Sequence, residues 1–241
     1  SILTASAGDD GISGSISVAS GTTTKGLSGW MALRTGSATK GAGGSISVVV
    51  GSGKSGPGGR VAINAGESTH VTGGAVSIVS GYGRATSSGA FSIRTADGGS
   101  DGVSGSLSFT SGTASKGSSG AITLRTGSAA KGAGGSVSIV VGSGTTTTGG
   151  RIVVSAGEST TSTGGAVSII SGYGAATSSG AFSVRTGNAG TNGASGALSF
   201  TTGDALKGSS GMITLRTGSA TSGAGGSISV VVGSGNTTVG G

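Results

Sequence analysis

The chain has 241 residues, 57 of them Gly, with one Pro, one His, no Cys and a formal charge of +7 from 14 basic and seven acidic residues. The glycines follow no Gly-X-Y period, which excludes collagen, and the lack of Cys excludes a disulfide framework and a thiolate metal site. Charged residues are only 9% and apolar residues 33%, the latter in short β-branched runs unlike those of disordered chains, and no run approaches the roughly 18 apolar residues that suggest a membrane span.

No signal peptide is visible, and Ser1 falls in the middle of a pattern. From Gly14 onward the pattern is Gly-x-h-x-h-x-x-Gly followed by about seven small or polar residues. It begins at Gly14, Gly29, Gly44, Gly59, Gly74 and Gly89, then at Gly105, Gly120, Gly135, Gly150, Gly165 and Gly180, and finally at Gly196, Gly211 and Gly226. Five steps of 15 residues and one of 16 make a long repeat of 91. Residues 118–144 and 209–235 agree at 22 of 27 positions. The truncated pattern at both ends predicts a segment of a longer array, without capping elements.

Each unit offers one strand candidate. Its third and fifth places are apolar, as at Ile46 and Val48 or Phe182 and Val184, and this alternation has the period of a strand. The stretches between, such as "GSATKGAGG" at 36–44, read as turns. A fixed spacing of strand and turn predicts a solenoid.

Alternate units differ in their outward places. In the first, third and fifth units of each long repeat the fourth place is always Ser and the sixth is small or aliphatic. The pairs include Ser47 and Val49, Ser77 and Val79, Ser138 and Val140, Ser168 and Ile170, and Ser229 and Val231. In the other units the sixth place carries Arg34, Arg94, Arg125, Arg185 and Arg216, with Asn64 and Ser155 as exceptions. This alternation predicts an all-β fold, a parallel β-solenoid over residues 1–241. Its two stacked sheets come from 30-residue rungs of two units each, with Val48 beside Val18 and Ile78, and Leu33 beside Ile63. A triangular 15-residue coil is the alternative, and an antiparallel meander ranks third. Glycines at the corners would supply positive φ and close approach.

Chemistry is sparse. His70, the lone histidine, has Thr161 as its counterpart 91 residues on, so neither a histidine relay nor a metal cluster is expected. Glu67 and Glu158 are equivalent positions set too far apart for an acid/base pair, and each is read as offsetting Arg60 or Arg151. "DGGSD" at 97–101 faintly suggests a calcium loop, but its counterpart at 187–191 is "GNAGT", without the ligands. No "GAGG" cluster leads into a Lys-Ser/Thr pair, so phosphate loops are not expected. The seven aromatic residues fall largely at inward places and make no base-stacking platform.

Gly/Ser/Thr-rich repeats of this kind resemble the parallel β-solenoids of secreted surface fibres and adhesins, including filament proteins of algal or protist cell surfaces. The resemblance implies an extracellular or cell-surface location and a structural or adhesive role, and it assigns no functional residue. The expectation is therefore a non-enzymatic structural protein of a fibre or appendage, without cofactor or metal. Its partners would be copies of itself or a neighbouring fibre protein, with glycans as further partners and neither nucleic acid nor membrane insertion. The bare Ser/Val face is the expected assembly surface. An ice-binding protein using the serine column and a carbohydrate-binding adhesin using the Arg face are the alternatives. Turn threonines at 22–24, 145–148 and within 159–163 are O-glycan acceptors by composition, and Asn236 heads the one N-glycan sequon, Asn-Thr-Thr.

Overall fold

The computed structural model describes residues 1–8, 11–146 and 148–235. Among them there is neither helix nor strand. The chain is an irregular, loop-rich coil, and this overturns the β-solenoid in both its two-sheet and triangular forms. A solenoid joins each residue to one a full rung away through ladder hydrogen bonds. Here nearly all close approaches of the chain to itself lie within a dozen residues along the sequence. Val48 therefore has no ladder neighbours of the expected kind, and among the described residues no core side chain is buried.

The reason lies in what one unit supplies. The two alternating apolar places of each unit, such as Ile46 and Val48, offer little surface to a shared core. Glycine at both ends of every candidate strand except the one ending at Ala96 raises the entropic cost of ordering it. Local closure wins over stacking.

That closure follows the repeat. The chain divides into two halves, Ser1–Thr123 and Leu124–Gly241. In the first half the Gly74 amide donates to the Gly66 carbonyl at 2.9 Å, and the Gly89 amide to the Gly81 carbonyl at 2.9 Å. In the second half Gly165 and Gly180 donate in the same way to Gly157 and Gly172, both at 2.9 Å, and Gly150 to Gly142 at 3.3 Å. Each bond joins the last glycine of one unit's eight-residue segment to the first glycine of the next. The residues between form a small loop whose ends meet.

The loops bend where the sequence places turns, at the eleventh to thirteenth places, for example 24–26, 69–71, 160–162 and 221–223. Positive φ occurs at Gly26 (148°), Gly208 (117°) and Gly223 (126°), all at the thirteenth place. Corner glycines at the first place, expected to share that role, serve close approach instead. A Cβ on Gly44 would sit 3.0 Å from the Thr35 Cβ, and one on Gly59 would collide with Val50.

The 16-residue step also has a structural account. Gly102 donates to Gly99 at 3.1 Å and Gly193 to Gly190 at 3.3 Å, each closing a four-residue turn at the long-repeat boundary. The equivalent bond in the first copy runs from Gly11 to Gly8 at 3.1 Å. Ser100-Asp101 and Thr191-Asn192 occupy the turn centres, where Asn and Asp are favoured because their side chains satisfy nearby backbone groups. The stretch that faintly suggested a calcium loop is this turn.

Candidate functional site

The residues of the expected assembly face all lie exposed. Ser47, Ser77, Ser138, Ser168 and Ser229 at the fourth place, and Val49, Val79, Val140, Ile170 and Val231 at the sixth, are open to solvent. They do not form one sheet surface, because no ladder sets them side by side. The sixth place is the more open one: Val49, Val140 and Val231 are each 85% exposed, whereas the next residues Val50, Val141 and Val232 are 41%, 40% and 69% exposed.

The seventh place, which the sequence pattern did not single out, organises each unit. Its residue packs beside the first glycine of the following unit: Thr35 beside Gly44, Ala65 beside Gly74, Thr126 beside Gly135 and Thr217 beside Gly226. Half-buried residues among those described are confined to two places of the unit. Ser80, Thr95, Ala156 and Thr217 hold the seventh, and Ser68, Gly83 and Gly174 the tenth. A signal for this existed in the sequence, since no seventh-place residue is larger than Val or Thr. A longer side chain there would strike the incoming backbone.

Tenth-place residues lock the loops. Ser68 Oγ accepts from the Val71 amide at 3.1 Å, and its counterpart Ser159 accepts from the Ser162 amide at 2.9 Å. These are the side-chain-to-backbone bonds that stabilise turns headed by Ser. Gly83 and Gly174 occupy the same place where a Cβ would collide with the carbonyl oxygens of Ser87 and Ser178. Thr35 Oγ1 adds a bond of 3.0 Å to the Gly44 carbonyl.

The arginines expected to share one face are equally open, and no ladder sets them side by side either: Arg34, Arg94, Arg125, Arg185 and Arg216 are all exposed. Side-chain hydrogen bonds among the described residues are made by Ser, Thr and the Met212 sulfur. Asn236 lies outside the described residues. Among those described, no pocket forms, no group of three His, Asp or Glu gathers as a metal site, and no helix is long and apolar enough to cross a membrane. The chemistry on offer is that of open surfaces: guanidinium groups, hydroxyl-rich turns and exposed aliphatic side chains. No protein-family model matches the chain, and no curated protein or solved structure matches it.

Proposed function

We propose that this chain is a non-enzymatic structural protein of an extracellular or cell-surface fibre, working as an assembly with copies of itself. The observation that carries the reading is the exposed surface. Its accessible area is 23,913 Å², against about 9,300 Å² for a folded monomer of its 21.9 kDa mass. The excess is many times the roughly 1,600 Å² that a standard interface buries. Chains that stay open in isolation carry high charge and low hydropathy. This one has the opposite balance, with 9% charged residues and a mean hydropathy of +0.23. Such a chain gains by covering its apolar places.

A second copy fits the vacancy best. Any surface that covers one unit also covers its equivalents 91 residues away, so a repeating partner matches at every unit. The bare sixth-place aliphatics add no charge repulsion between copies. Sequence composition supports the extracellular placement through its likeness to secreted surface-fibre proteins. Negative-stain imaging of the native material, together with sedimentation of the purified chain over a concentration series, tests the reading. Filaments or concentration-dependent large species are expected. Monomers at every concentration would overturn it.

A further inference from the structure

The two kinds of basic residue are segregated along the repeat. All six lysines, Lys25, Lys40, Lys54, Lys116, Lys131 and Lys207, lie in the bends between segments. Arg84 is the one arginine found with them. Seven of the eight arginines lie inside the eight-residue segments, five at the sixth place and two, Arg60 and Arg151, at the second. No acidic residue falls in any segment, and Glu67, Asp97, Glu158 and Asp204 share the ninth place, just outside.

Solubility alone does not produce this sorting. Lys and Arg carry the same charge, and a surface that only needs charge accepts either. Arg is selected where a flat fork of donors must meet an oxyanion through two parallel hydrogen bonds, whereas Lys acts as a point charge. Each sixth-place arginine is exposed and is followed by Thr, as in Arg34-Thr35 and Arg216-Thr217. The Thr backs onto the next unit's glycine at Thr35, Thr126 and Thr217. One anchored residue therefore stands beside each free guanidinium, which limits the backbone freedom lost on binding.

We propose that the sixth-place arginines each bind an acidic polysaccharide through its carboxylate or sulfate groups. A polymer suits sites recurring at separations of 60 and 31 residues, because linked sites act together and raise the overall affinity beyond that of each site. Nucleic acid suits them poorly. Its binding draws on many phosphate contacts and on base stacking, and the segments carry neither basic runs nor an aromatic platform. The inference is independent of the fibre reading, since an unassembled chain presents the same arginines.

The test measures binding of the full chain to fluorescent polyuronate and to heparin, with duplex DNA and neutral dextran as controls. Two variants are compared: Arg→Lys at 34, 94, 125, 185 and 216, and Lys→Gln at the six bend lysines. The first keeps the charge but loses the two parallel hydrogen bonds of the guanidinium fork, and should lose at least about tenfold in affinity for an acidic polysaccharide. The second lowers the charge and should stay within about threefold, because exposed, well-separated charges are largely screened at physiological salt. Equal binding by the Arg→Lys variant would overturn the proposal. So would a larger loss in the Lys→Gln variant, no binding to either polysaccharide, or equally tight binding of duplex DNA.

Discussion

Replacing Val49, Val140 and Val231 together with Lys probes the assembly reading most directly. Each of these side chains is 85% exposed in the isolated chain, and none is used in the local packing that closes the loops. Covering a Val fully contributes about 1.5–3 kcal/mol. Three of them at the lower figure contribute about 4.5 kcal/mol per chain, more than a thousandfold in the association constant. The entropic costs of association are common to both proteins and cancel in the comparison. Three added charges per chain also raise the repulsion between copies. Sedimentation velocity over a dilution series reads the midpoint of assembly, and far-UV circular dichroism of the dilute monomer checks that the substitutions leave its conformation alone. The midpoint should move up by two or more orders of magnitude while the monomer spectrum is unchanged. An unchanged midpoint would refute the claim that sixth-place aliphatics form the covered surface.

Other predictions concern the loops and the rival reading. Gly83→Ala puts a Cβ against the Ser87 carbonyl, so the loop should open and the Gly89 amide, bonded to Gly81, should exchange with solvent about five- to tenfold faster. The same change at Gly81, where a Cβ meets nothing within 4 Å, should perturb that amide far less. Ser159→Ala removes the acceptor of the Ser162 amide, at a cost of about 0.5–1.5 kcal/mol. That amide should exchange faster while Val71, held by the intact Ser68, stays as it was. Ice binding needs a flat, ordered array of hydroxyls, and the fourth-place serines lie on a chain without strands among its described residues. The purified protein should therefore give no thermal hysteresis, and a measurable freezing gap would count against this reading.

The repeat by itself decides a good deal. The 15-residue spacing, the 91-residue period and the positions of the bends all follow from where Gly, Ser and Thr cluster, because turn formation depends on a few neighbouring residues. The loops at 69–71 and 160–162 bend where the pattern places them. Alternation at Ile46 and Val48 states only that a segment suits a strand. Whether it becomes one depends on a partner for its backbone, and no residue within the segment supplies that. The seventh place was legible in principle through its size limit, yet its role emerges only when Thr35 is seen against Gly44. Tertiary structure also separates two uses of glycine that look identical in sequence, positive φ at Gly26 and room for a neighbour at Gly59. Local rules set period and turns because they act over a few residues, while strand pairing is a long-range exchange of entropy for hydrogen bonds and buried area. In the single chain the terms favour nearby closure, so the apolar places remain open for whatever the assembly brings to them.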